Sequence, residues 1–179
     1  SQKEREELSS AINSATKVLE KVRNMLTTEF NIPHPTRNDV IRYRLYEELK
    51  DNDYRTLYSN TYIPREKLFT KEFDIEHIIP KARLFDDSFS NKTIEARDVN
   101  IKKSNKTAYD FVLSEYGEEG LTRYRQHCES LFKDKRTKLR KLLMEEKDIP
   151  ADFIERDLRN TQYIAKRALS MLNEICRRV

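Results

Sequence analysis

A carboxylate and an imidazole stand side by side at Glu76 and His77, with Asn91 fourteen residues after the histidine and Asn100 nine after that. Hydrolysis of a phosphodiester calls for side chains of this kind. It needs a deprotonated water in line with the leaving oxygen, and positive charge where negative charge grows in the transition state. Imidazole titrates near neutral pH, which suits His77 to the role of general base. Glu76 and the Asn100 amide oxygen are hard donors. Magnesium takes one or two such protein ligands and fills its other positions with water and phosphate. Asn91 both donates and accepts, and it stands at the start of a predicted strand where a loop must be pinned, so it reads as a structural or orienting member of the set. Asp74 lies two residues before Glu76, on the same face of a strand, and is the rival metal ligand.

These residues need a frame. The stretch FDIEHIIP is short, β-branched and closed by Pro80, and predicts a strand ending at a bend. At such a terminus the pleat breaks, so a carboxylate and a neighbouring imidazole can reach one site. A second strand is predicted over residues 90 to 96, after the polar loop KARLFDDSFS. The following ARDVNIKKSN has helical character, with Val99 turned back toward the strands. The order strand, loop, strand, helix is therefore expected at the centre of the chain.

Helices are predicted on both sides. From Lys3 to about Phe30, Leu8, Ile12, Ala15, Leu19, Val22 and Leu26 recur at three- and four-residue spacing and form one apolar stripe. Thr36 can cap a second helix with Val40, Ile41, Leu45 and Leu49 inward, ending near Asp51. Residues 54 to 73 read as a small hairpin or irregular loop. Thr107 can cap a further helix ended by Gly117 and Gly120. Others run through Leu121, Tyr124, Cys128 and Leu131, through Leu139, Leu142 and Leu143, and from Pro150 toward Val179.

Composition agrees with a helical protein. Of 179 residues, 37% are hydrophobic and 37% charged, with two glycines and no tryptophan, which disfavours sandwiches and barrels. A formal charge of +4 is compatible with nucleic-acid binding without demanding it. Lys103 and Lys106 could meet phosphates, but as exposed lysines they read as ordinary solvated groups. The basic run KDKRTKLRK, residues 133 to 141, likewise reads as a solvated helix face. His34 and His127 lie beside no ligand set and default to structural roles. Cys128 and Cys176 form no CxxC pair, so reduced, packed thiols are expected and no zinc knuckle is. No apolar run approaches the roughly 18 residues of a membrane span, and the chain reads as cytoplasmic. A start at Ser1, with a helix already under way, reads as a segment of a larger polypeptide.

DIEHIIP, DDSFSNK and the Asn100 segment NIKKSNKTA together resemble the HNH nuclease domain of the RNA-guided type II CRISPR effector nuclease. The matching positions are Glu76, His77, Ile78, Ile79 and Pro80, then Asp86, Asp87, Ser88, Asn91 and Lys92, and finally Asn100. The likeness is strongest over residues 73 to 108. It implies a mostly α fold with a small β element: a ββα-metal (HNH) core over 53–106, a helical arm over 1–52, and C-terminal and linker helices over 107–179. It also implies His77, Asn91 and Asn100 as catalytic positions, Glu76 and Asn100 on the metal, and Mg2+ as cofactor with Mn2+ able to substitute. The implied substrate is the target DNA strand in a guide RNA–DNA heteroduplex. The implied neighbour is a RuvC-like domain of the same parent chain, in a prokaryotic cell, with the isolated domain monomeric. Many relatives place aspartate before the histidine, whereas Glu76 is one methylene longer. Two rival readings are a stand-alone HNH nicking or homing endonuclease, which should bring its own DNA-recognition module, and a non-catalytic helical nucleic-acid-binding scaffold.

Overall fold

The computed structural model of the chain describes residues 2–149. It is mostly helical, with one two-stranded antiparallel sheet. In order, the elements are α1 (Gln2–Glu29), α2 (Arg37–Glu48), β1 (Phe73–His77), β2 (Lys92–Ala96), α3 (Arg97–Lys103), α4 (Ala108–Phe132) and α5 (Arg136–Leu142). The predicted strand, loop, strand, helix order is thus present. The helix expected from Pro150 onward, and Cys176 within it, lie outside the described residues. The described residues fall into two compact units: residues 2–76 with 93–99, and residues 77–92 with 100–149.

The first unit grows from helix termination and hairpin closure. Thr36 caps α2 by accepting from the Asp39 amide at 3.2 Å, while the Asp39 carboxylate accepts from the Thr36 amide at 2.8 Å. Two orphan donors are satisfied reciprocally by this capping box. Leu26, Leu45, Leu49, Leu57, Ile63, Leu68 and Ile94 are buried as its core. The stripe predicted along α1 is only partly used: Leu26 is buried, but Ile12 and Leu19 are exposed. Periodicity marks an apolar face without saying what covers it.

Residues 54–63 form the small hairpin, closed by the Arg55–Tyr62 bridge and by Ile63 N–H donating to Tyr54 O at 2.9 Å. The buried Glu95 carboxylate fastens it to β2, accepting from Tyr58 N–H at 3.1 Å and from the Ser59 hydroxyl at 2.7 Å. Burial pushes the Glu95 carboxyl above its ordinary range, against the opposing hydrogen bonds from Ser59 and the Ala96 amide.

The second unit is assembled on the exit of β1. Ala108 N–H donates to Ile78 O at 3.1 Å, which pins the start of α4 to that exit. Thr107 caps α4 by accepting from Asp110 N–H at 3.2 Å. Its core holds Ile78, Ile79, Phe111, Val112, Leu121, Tyr124, Cys128, Phe132 and Leu142. Burial pushes the Cys128 thiol up to about 12, as expected for a packed, reduced cysteine.

Of the two glycines expected to end a helix, only Gly117 breaks one. At φ 65° and ψ −170° it kinks α4 in a conformation that L side chains resist. Gly120 instead lies within the helix, where a Cβ would lie 2.3 Å from the Tyr116 Cβ, so the close approach requires glycine.

Candidate active site

The flanking backbone bonds, Arg97 N–H to Glu72 O at 2.8 Å and Ile78 N–H to Asn91 O at 2.9 Å, set the register of the sheet. They place Glu76 opposite Thr93 and His77 opposite Lys92. His77 is therefore the last paired residue of β1, at the point where the strand leaves the ladder. Its backbone oxygen accepts from Lys103 Nζ at 2.9 Å. Lys103 is fully buried, which corrects the expectation of a solvated group. Its stem packs in the interior while its ammonium reaches a carbonyl. Lys106, by contrast, is exposed and donates to the Ser114 hydroxyl at 2.9 Å.

The His77 imidazole, with its side chain 23% exposed, meets Asp87 with Nε2 to Oδ1 at 2.9 Å. Lys81 at 2.8 Å and Lys92 at 3.1 Å converge on the same oxygen. Hydrogen bonds from Lys81, then His77 and Lys92, hold the Asp87 carboxyl well below the usual carboxylate range. An ionised Asp87 can only accept, so Nε2 carries the hydrogen. In the neutral ring that leaves Nδ1 with the lone pair.

Asn91 is fully buried and its amide is in use on both sides. Its Oδ1 accepts from Ile79 N–H at 3.0 Å, and its Nδ2 donates to Ile79 O and to Asp86 O, each at 2.9 Å. The side chain clips the exit of β1 to the loop that returns into β2. The next anchor of that loop comes from α5. Lys141, only 6% exposed, bonds the Asp86 carboxylate, Ser90 Oγ at 2.7 Å and Ser88 Oγ at 3.1 Å. Lys138, also buried, lies 5.3 Å from the Phe89 ring centroid and 5.1 Å from that of Phe132. The run 133–141 is thus not merely a solvated face. Two of its lysines are consumed in packing, Lys141 against the loop of residues 86–90 and Lys138 against Phe89 and Phe132. Desolvation pushes Asp86 up, but bonds from Lys141 and Ser88 outweigh it and leave its carboxyl lowered.

Glu76 closes the first unit and is 7% exposed, while Asp74, two positions earlier, faces the Arg97 guanidinium at 3.5 Å. Asn100 lies in α3 in the second unit, half-buried, with its backbone oxygen accepting from Ser104 N–H at 3.3 Å. Among the described residues no group of three or more His, Cys, Asp or Glu could hold a metal. The Glu76 carboxylate and the Asn100 amide oxygen are each hard donors of the type that magnesium accepts. His34 and His127 are both exposed.

Sequence reasoning missed Asp87 as the partner of His77, and Lys141 and Lys103 as buried groups. The paired aspartates stood in the resemblance as pattern only. No spacing rule links a lysine to an aspartate 55 residues away.

Comparison with known proteins follows the same segment. Residues 56–109 match the HNH endonuclease family model. The chain is 32% identical over 145 residues to the CRISPR-associated endonuclease Cas9 of Staphylococcus aureus, covering 73% of this chain and 14% of that protein. It is 26% identical over 167 residues to CRISPR-associated endonuclease Cas9 1 of Streptococcus thermophilus, covering 86% of this chain and 14% of the relative. The chain thus spans about one seventh of the length of these relatives. Among solved structures it is similar to Streptococcus thermophilus Cas9 in complex with the AGAA PAM, with TM-score 0.65 and 22% identity, covering 97% of this chain and 18% of that one. It is also similar to the Type II-C Cas9 from Actinomyces naeslundii, with TM-score 0.59 and 16% identity, covering 78% of this chain and 15% of that one.

Proposed function

We propose, from the premise that this chain is an HNH endonuclease domain of the type II CRISPR effector kind, that it cuts the DNA strand paired with the guide RNA. It does so as one part of a larger RNA-guided enzyme that also carries a RuvC-like domain and acts in the prokaryotic cytoplasm. The observation that carries the reading is the His77–Asp87 contact at the exit of β1, which leaves Nδ1 as the basic nitrogen. The match to Cas9 relatives favours this reading over a stand-alone nicking enzyme or a non-catalytic scaffold.

HNH endonucleases are generally divalent-metal dependent, and we assign Mg2+, with Mn2+ as a substitute. Glu76 and the Asn100 amide oxygen would hold the ion, with Asp74 as the alternative carboxylate. When bound, the ion supplies positive charge where the phosphate and its leaving oxygen become more negative. His77 Nδ1 takes a proton from the attacking water, and the resulting imidazolium faces the negative charge of Asp87. Attack at phosphorus breaks the bond to the 3′ oxygen, which takes a proton from solvent, leaving 5′-phosphate and 3′-hydroxyl ends. Asn91 orients the loop that carries Asp87.

The test is His77→Ala in the guide-loaded effector containing this domain, scored strand by strand on a labelled duplex. Cutting of the guide-paired strand falls by about 10²–10⁴ while binding is retained. Wild-type cutting of that strand by the variant would refute the assignment.

A further inference from the structure

The family model ends at residue 109, yet the loop that supports the candidate base is held from residue 141. Residues 86–91 carry Asp87, which grips His77 Nε2, and Asn91, which clips Ile79. The loop has little regular structure of its own, a single 3-10 turn over Phe89–Asn91. Three of its side chains converge on one ammonium in α5. Lysine has three donors in tetrahedral array, and Asp86, Ser88 and Ser90 account for all three.

Burying an ammonium is costly unless it is paired and fully hydrogen-bonded. Here both conditions hold, so the contact locks a specific loop geometry. Lys138 adds a second grip from the same helix through the Phe89 ring. The neighbouring Arg140 is exposed.

We propose that Lys141 is a positioning residue for the nuclease reaction, holding the Asp86–Ser90 loop so that Asp87 stays on His77. The proposal rests on the reading of His77 as general base, and it places part of the active machinery in α5, beyond the segment that defines the family. Lys141 meets neither substrate nor metal in this role. Its effect passes through the loop.

Lys141→Met, Lys141→Gln and Lys141→Arg are compared with Arg140→Met in the complete guide-loaded effector. In parallel, the imidazole 1H–15N correlations of His77 are recorded on this chain; with three histidines in all, assignment follows from His34→Gln and His127→Gln. Loosening the support of a catalytic pair costs on the order of ten- to a hundredfold in rate. Lys141→Met and Lys141→Gln are therefore expected to lose that much in cleavage rate at saturating substrate, with KM unchanged. Lys141→Arg restores most of the rate, and Arg140→Met keeps it.

The His77 Nε2 signal is expected to shift or broaden in the Met and Gln variants alone. A folded Lys141→Gln protein with an unchanged His77 spectrum overturns the proposal, as does one cutting at the wild-type rate. If His77→Ala cuts normally while the Lys141 variants still disturb the His77 signal, the nuclease assignment fails and the positioning contact stands.

Discussion

His77 gains its chemical identity from one oxygen atom. Asp87 Oδ1 lies within 3.1 Å of His77 Nε2, Lys81 Nζ and Lys92 Nζ, so it stays ionised and dictates which imidazole nitrogen bears hydrogen. Asp87→Asn keeps the size of the side chain but removes the charge that faces the imidazolium. The expected outcome is a loss on the order of 10²-fold in single-turnover cleavage with an unchanged circular dichroism spectrum. A variant at wild-type speed would leave the contact without catalytic meaning.

Glu95 presents the opposite electrostatic case, a buried carboxylate whose pKa is raised. Between the ordinary carboxylate pKa, about 4.3, and its raised folded value, the folded state binds more protons than the unfolded one. Stability from this group is therefore full at low pH and lost as pH rises through that window, by up to about 1.4 kcal/mol per pH unit. Urea denaturation of the wild type and Glu95→Gln across pH 4 to 8 measures the difference, which should carry this slope with this sign.

At the scale of elements, caps and clips decide where the site falls. Thr107 starts α4, and the adjacent Ala108 N–H ties that start to Ile78, one residue past His77. Thr107→Ala removes the cap from a buried helix start and should cost about 1–2 kcal/mol in denaturant unfolding. The kink at Gly117 shows why a sequence signal can be right in kind and partial in extent. One glycine breaks the helix by its dihedral angles, and the other lies within the helix at a place where a methyl group would strike Tyr116.

For the whole molecule, the described residues bury their cores without any cluster of metal-ligating side chains. On the proposed magnesium-assisted reaction, chelation with EDTA is expected to abolish strand cutting while leaving the thermal unfolding midpoint within about 2–4 °C, the shift that about 1 kcal/mol produces in a chain of this size. A large drop in the midpoint would instead make the ion structural, as in metal-folded domains. Among the described residues no helix is long and apolar enough to cross a membrane.

Sequence alone determined the helix-rich class, the strand, loop, strand, helix order, the caps at Thr36 and Thr107, and the adjacency of a carboxylate and an imidazole at residues 76 and 77. All of these are local. Propensity, period and hydrogen bonds within a few residues encode them, so neighbouring letters suffice. The tertiary structure alone decided that Asp87 partners His77, that Lys103 and Lys141 are interior cations, and that Ile12 and Leu19 of the α1 stripe stay exposed. Each depends on what packing brings to a side chain from far along the chain. A lysine reads the same in sequence whether its ammonium ends in water or among a carboxylate and two hydroxyls.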